Sequence, residues 1–320
     1  MSNCCVPRGM HQAGERLMVD SVIDRFRRRV EQRVLTKESL SLYTSFHIGG
    51  PAEYLYTPCG EEDLICALRA ARALKVPTTV LGNGTNVLVS DRGVEGLVVR
   101  LMETSLQPVM EKGLVLARAP MPLSSLLDFA MHQDLSGLEY LTSIPGTVGG
   151  AVYMNAGSFS QAISTHLAYV EVLDRNLEYV VKKHEEVDFD YRYSEFQESG
   201  AIILGAAFDL EAGDGATIRS TAARIRSEKH AKQSWEHPNA GSIFTNPPTT
   251  YAGKLIEEAG CKGLQVGQAQ VSAKHANFIV NLGGATALDV AGLMDIVVQR
   301  VYARFNVRLS PEIRLLGDFS

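Results

Sequence analysis

Several familiar signatures are missing from this 320-residue chain, and each absence removes a class of protein. The five cysteines (Cys4, Cys5, Cys59, Cys66, Cys261) are odd in number and form no C-x-x-C pair. That excludes a disulfide framework and a zinc-finger-like site, so no metal is expected. No stretch nears the roughly 18 consecutive apolar residues of a membrane span. There is no basic excess: 31 Lys and Arg stand against 36 Asp and Glu, a formal charge of −5, which disfavours a duplex nucleic-acid partner. The segment MSNCCVPRGMHQAGERLMVD lacks the apolar core of a secretory leader, so a cytoplasmic protein is expected. No G-x-x-x-x-G-K-[ST] occurs, which excludes a P-loop. No G-x-S-x-G elbow occurs either, which leaves a Ser–His–acid hydrolase little support. Internal repeats and low-complexity tracts are also absent.

What is present is a globular composition, 45% hydrophobic and 21% charged, with length for about two domains. Residues 1–18 show no periodicity and are expected to be a mobile tail. Val19, Val22, Ile23, Phe26 and Val30 fall at helical spacing. Amphipathic patterns predict helices over 61–75, over 123–135 with Ser124 as N-cap, over 217–232, and over 289–305 with Thr286 as cap. Short β-like runs fall at 53–57, 79–81, 87–89, 97–101, 169–174, 178–182, 201–210 and 277–282. EAGDGA (211–216) marks a domain boundary. The expected class is α+β: a mixed first part to about residue 210, then a smaller αβ part.

Two segments are suited to backbone approach by an anion. Gly82-Asn83-Gly84-Thr85-Asn86 follows an apolar β-like run, and Ser143-Ile144-Pro145-Gly146-Thr147-Val148-Gly149-Gly150-Ala151 is dense in glycine. Glycine lets successive N–H groups converge, and together the two loops suit a pyrophosphate. Each is also compatible with an ordinary turn. Neither fits the G-x-G-x-x-G fingerprint with its acid about 20 residues on. Scattered polar candidates follow: Arg192 between aromatics, Ser242 in a Pro/Asn/Gly-rich loop, Lys274-His275 before a strand, and Glu312. Taken singly, these suit a surface ion pair, a loop hydroxyl, a packed histidine and a solvated acid equally well.

Their order is more specific. FHIGGPA, LGNGTNVLVSDRGVEGLVV, GLEYLTSIPGTVGGAVYMNAG, YRYSEF, NAGSIFTNP, GKLIEEAGCKG, VSAKHANFIVN and PEIRLLG together resemble the UDP-N-acetylenolpyruvoylglucosamine reductase family, from about residue 40 to 317. The short span from Arg192 to Ser242 resembles its compact type II subgroup. The resemblance implies an FAD domain of the vanillyl-alcohol-oxidase (PCMH) type within 19–212, its body at about 47–212. A smaller substrate-binding domain (213–320) would follow, its C-terminal segment returning to the active site. It implies non-covalent FAD, NADPH as co-substrate and a sugar-nucleotide substrate. Oligomeric state is left open, with a monomer favoured.

By the same resemblance Arg192, Ser242 and Glu312 are the catalytic trio. Gly82 to Asn86 would hold the FAD pyrophosphate; Ser143, Pro145, Gly146, Thr147, Gly149, Gly150 and Ala151 would wrap the diphosphate and flavin edge. Asn155, with Ala156 and Gly157, would complete that wall. Lys232 would neutralise phosphate and Asn246 contact the sugar nucleotide. The chain departs from the family at His47, at Thr85, at Thr245 and at Lys-Gln-Ser (232–234), which leaves details of phosphate neutralisation open. Two other readings remain open here: a different oxidoreductase of the same FAD fold, and a non-catalytic flavin- or nucleotide-binding protein.

Overall fold

A computed structural model describes residues 34–320; the expected tail and the helix at 19–30 lie outside the described residues. The first body is a four-stranded sheet in the order β1-β2-β5-β3. Its strands are β1 (Leu35–Ser39), β2 (Pro51–Tyr56), β3 (Thr78–Leu81) and β5 (Val94–Arg100). β5 runs parallel to both β2 and β3. Helix α1 (Glu61–Ala73) makes the crossover, with Glu61, Glu62 and Asp63 in its first turn, where the helix dipole favours acids. Leu64, Ala67, Leu68 and Ala71 bury one face of it. β4 (Val87–Val89) lies off this sheet, so the turn Gly82–Asn86 is left between two strands that belong to different sheets.

The second body is a five-stranded antiparallel sheet built from β6 (Val109–Glu111), β7 (Leu114–Arg118), β8 (Leu167–Leu173), β9 (Tyr179–Lys183) and β10 (Ile202–Phe208), in the order β9-β8-β10-β7-β6. Helix α2 (Leu123–His132) and the short helix α3 (Val148–Tyr153) pack into its core through Leu123, Leu126, Val148 and Val152. Two expectations shift here. Ser124 lies inside α2, because Pro122, at φ −57°, takes the cap position two residues earlier without a side-chain cap. The glycine-rich run at 148–153 is helix, with the Thr147 hydroxyl accepting from the Gly150 N–H.

The last body begins with α4 (Gly215–Lys232), capped by Asp214, whose carboxylate accepts from the Thr217 N–H. A second antiparallel sheet contains β11 (Asn239–Ser242), β12 (Gln265–Val266), β13 (Ala269–Val271) and β14 (Phe278–Asn281), in the order β11-β14-β13-β12. It packs against α5 (Ala252–Glu258) and α6 (Ala287–Phe305). Val290, Met294, Val297 and Val301 form the expected seam of α6, and Thr286 with Asp289 forms a capping box. This core takes in Phe46, Ile48 and Leu88 from the first body. The Asp91 carboxylate also crosses over to accept the Ala287 and Leu288 N–H groups at the start of α6. Finally β15 (Arg314–Leu316) returns to run parallel to β4, beside the Gly82–Asn86 turn. All three bodies therefore meet at that turn.

Candidate active site

Arg192 is the second residue of a two-residue turn closing the small hairpin Phe189–Asp190/Tyr193–Ser194. Its φ of +57° is left-handed, a conformation that costs about 1 kcal/mol or more for a side chain with a Cβ. The surroundings impose it. Gln197 donates Nε2 to the Arg192 carbonyl at 3.0 Å, and Asn155 donates Nδ2 to the Asp190 carbonyl at 2.9 Å. The guanidinium then reaches Glu312: Nε donates to Oε1 at 2.9 Å, and Nη2 donates to the Gly157 carbonyl at 2.8 Å. Both side chains are largely covered, 20% and 15% exposed, so the pair is poorly screened.

Burial pushes the Glu312 carboxyl above the usual carboxylate range, and the Arg192 charge opposes that rise. The acid is thus held readier to carry a proton than a surface glutamate. Its backbone N–H donates to the Ile243 carbonyl at 2.8 Å, which brings the residue after Ser242 against Glu312. Among the described residues the Ser242 hydroxyl makes no hydrogen bond, so its proton is uncommitted. The three residues expected to act together thus converge through one ion pair and one backbone bond.

The two glycine-rich loops also converge. Thr85 Oγ1 donates to the Pro145 carbonyl at 3.3 Å, and a Cβ on Gly82 would lie 2.8 Å from Thr147 Oγ1. Among the described residues the N–H groups of Asn83, Gly84, Thr85, Ser143, Gly146 and Thr147 donate no hydrogen bond. Neither loop carries a charged side chain. Unpaired amides converging without a competing carboxylate make a fit for an anionic diphosphate. Ser143 and Gly146 hold positive φ, 64° and 130°.

Other expected contacts are engaged inside the chain. The Gly149 N–H donates to the Ala119 carbonyl, and the Gly150 and Ala151 N–H groups are bonded to Thr147. Asn86 donates Nδ2 to the Glu312 carbonyl at 3.2 Å, tying the first glycine-rich loop to the C-terminal segment. The Asn155 side chain is buried, with Oδ1 accepting from the Ser164 N–H. Asn246 is exposed, and its Oδ1 accepts the Ala252 N–H at the start of α5. Lys232, the last residue of α4, is also exposed.

One turn before Lys232 sits a buried cation that the sequence reading missed. Lys229 is 8% exposed and donates to the Thr142 carbonyl at 2.6 Å and to the Tyr140 carbonyl at 3.3 Å, immediately before the second loop. Burial, helped by the Arg192 charge, lowers its pKa to about 8. Periodicity carried the signal, because Lys229 continues the buried stripe Ile218, Ala222, Ile225. His275 proves to be a packing residue. Its Nδ1 accepts the Asn277 N–H, its ring meets Phe278 edge-on, and burial lowers its pKa.

Gly84 gives a test of the loop. Its φ is +62°, and a Cβ there would lie 2.1 Å from the Tyr43 carbonyl oxygen. Gly84→Val must therefore displace the turn. The variant is expected to melt as a folded protein but to purify colourless. A full complement of flavin, read from visible absorbance per protein, would sink this placement.

The fold and the paired loops define a flavoprotein of the PCMH-type class: a family model described as an FAD binding domain matches residues 52–181. A second, described as the UDP-N-acetylenolpyruvoylglucosamine reductase C-terminal domain, matches 233–316. The UDP-N-acetylenolpyruvoylglucosamine reductase of Caldanaerobacter subterraneus is 39% identical over 303 residues, 94% of this chain and 100% of the relative. That of Latilactobacillus sakei is 41% identical, over 90% of this chain and 94% of its own. The crystal structure of the Thermus caldophilus enzyme superposes with a TM-score of 0.75 at 37% identity, covering 89% of this chain and 98% of that one. The chain belongs to the UDP-N-acetylenolpyruvoylglucosamine reductase family and is an FAD-dependent oxidoreductase. Among the described residues, no helix is long and apolar enough to cross a membrane.

Proposed function

We propose that this protein reduces the enolpyruvyl ether of UDP-N-acetylglucosamine to UDP-N-acetylmuramate, with NADPH as reductant, in peptidoglycan precursor synthesis. The observation that carries the assignment of roles is the Arg192–Glu312 pair, joined through Ile243 to Ser242 beside a loop pair suited to a diphosphate. FAD, when bound, would supply the redox chemistry that couples NADPH oxidation to reduction of the vinyl carbon farthest from the substrate carboxylate. The chain's own residues handle charge and proton. Arg192 binds that carboxylate, where negative charge grows as the hydride arrives. Ser242 delivers a proton to the adjacent carbon, a downhill transfer from a weak acid to a strongly basic enediolate. Glu312, kept toward its neutral form by burial, hydrogen-bonds the same developing charge, where an ionised carboxylate would repel it. The backbone N–H groups of Asn83, Gly84, Thr85, Ser143, Gly146 and Thr147 would hold the FAD diphosphate non-covalently. The Gly149–Ala151 stretch and Asn155 shape the wall behind them. Lys232 and Asn246, both exposed, meet the sugar nucleotide as 213–320 closes over it. A nucleotide-activated sugar and NADPH as reactants place the work in the cytoplasm.

The test is an anaerobic titration. NADPH is expected to bleach the flavin, and the enolpyruvyl sugar nucleotide to restore its colour with one equivalent of product. A flavin that NADPH does not bleach, or one that the enolpyruvyl sugar nucleotide does not restore, would overturn the proposal.

A further inference from the structure

Ser242 ends β11, whose partner β14 pairs Phe278 with it. Past that point the chain leaves the sheet, and the residue that follows it outward is Asn277. The Asn277 carbonyl accepts the Ile243 N–H at 2.9 Å. Its side chain then does the work of one further strand residue: Oδ1 accepts the Phe244 N–H at 3.0 Å, and Nδ2 donates to the Phe244 carbonyl at 2.8 Å. On the opposite side of the same two residues lies the C-terminal segment. The Glu312 N–H donates to the Ile243 carbonyl, and Phe244 bridges Pro311. Residues 243–244 are therefore clamped, with Asn277 on one flank and Glu312 on the other, and Ser242 begins where the clamp ends. Ile243, Phe244 and Asn277 are 0%, 2% and 4% exposed, so water cannot substitute for the amide.

We propose that Asn277 is a positioning residue for the reaction, setting the separation of Ser242 from Glu312 through the backbone of Ile243 and Phe244. This rests on the reading of Ser242 and Glu312 given above. The asparagine amide is suited to the place because it presents one acceptor and one donor to a peptide group, as a neighbouring strand would. An apolar residue would leave a buried N–H and C=O unpaired. An aspartate would still accept from the Phe244 N–H, but its second oxygen, when ionised, would face the Phe244 carbonyl lone pairs. Protonated, the same oxygen donates and the clamp is restored. Asn277 itself bonds neither loop, 82–86 or 143–147; the link to the first of them, Asn86 Nδ2 to the Glu312 carbonyl, lies on the Glu312 flank, so flavin is expected to stay bound in Asn277 variants.

The experiment measures the two half-reactions of Asn277→Asp by stopped-flow flavin absorbance across pH, beside the parent protein and Asn277→Ala. Bleaching by NADPH is expected within about threefold of the parent, and reoxidation by the enolpyruvyl substrate slowed by up to ~10²-fold at the alkaline end, the scale of a displaced reacting group. The ratio of Asn277→Asp to parent reoxidation should rise as pH falls, because acid protonates the introduced carboxyl. Other titrating groups around this segment are Glu312 and Arg192 across Ile243, His275 on the same loop, and Glu257 and Lys262 facing His275. All of them are shared with the parent, which is why the ratio is the quantity read. Asn277→Ala should show the same split between halves with a ratio flat in pH. It decides the matter should the aspartate variant fail to fold. Equal slowing of both halves, loss of flavin, or a flat ratio for a folded Asn277→Asp would overturn the inference. Ser242→Ala run alongside separates the two failures. If it slows reoxidation and the Asn277 variants do not, only the positioning role falls; if it too leaves reoxidation intact, the role of Ser242 falls with it.

Discussion

Ser242→Ala is expected to separate the two halves of the reaction. Bleaching of the flavin by NADPH should stay within about tenfold of the parent rate, because Ser242 has no part in that step. Reoxidation by the enolpyruvyl substrate should slow by roughly 10²–10⁴-fold, the usual effect of losing a general acid. The structure makes the substitution a clean one. The hydroxyl makes no hydrogen bond among the described residues, so its removal strands no buried partner. The backbone at 242–244 is fixed by Phe278, Asn277 and Glu312 whatever the side chain. Melting temperature and flavin content should therefore match the parent, and substrate affinity should change little, since a group acting in the transition state adds little to ground-state binding. Ser242→Cys keeps a transferable proton and should recover part of the rate. If Ser242→Ala slowed both halves equally, or neither, the proton-donor role would have to be given up.

How far the sequence alone leads depends on whether a residue's partner is near or far along the chain. The seam of α6 and its Thr286 cap are local facts, set by 3.6-residue periodicity and by a hydroxyl three residues before Asp289. Both were legible. The helix at 148–153 was not, because two glycines there argue locally against helix. Gly149 tolerates the helix for a distant reason: a Cβ would lie 2.8 Å from Ala119 Cβ, so only glycine lets α3 pack against the end of β7. The Pro122 start of α2 was likewise hidden behind an attractive serine two residues on.

The site shows the same division. Each glycine-rich loop stood out by composition, but their contact joins residues 60 positions apart through Thr85 and Pro145. The Arg192–Glu312 pair spans 120 positions, and the Asn86–Glu312 bond 226. No pattern of spacing announces such pairs; the order of many short segments implies that Arg192 and Glu312 share a site, and the Asn86–Glu312 bond is visible only in the fold. Lys229 is a case of legible information left unused. A lysine in register with Ile218, Ala222 and Ile225 has to bury its charge or break the stripe, and here it buries it against two carbonyls.

Arg192→Lys keeps the charge and is nevertheless expected to lower turnover by on the order of 10²-fold or more, as for loss of one strong charge-stabilising donor. Lysine accommodates the turn at 191–192 no worse than arginine, and Gln197 and Asn155 hold that hairpin through backbone carbonyls, so the fold should survive. What changes is the geometry of donation. The guanidinium sends Nε to Glu312 and Nη2 to the Gly157 carbonyl at once, two divergent bonds that fix the plane in which the remaining edge faces a substrate. An ammonium is a point charge on a flexible stem and cannot hold both anchors while presenting a fork to a carboxylate. It will settle on Glu312, the nearest anion, as the guanidinium already does through Nε. The variant should thus keep the charge beside Glu312 and lose the planar contact to the substrate. Reoxidation of the flavin by the enolpyruvyl substrate should carry the loss, with bleaching by NADPH much less affected. Turnover near the parent value in a folded, flavin-replete Arg192→Lys would mean that charge alone suffices and that the fork has no part in the reaction.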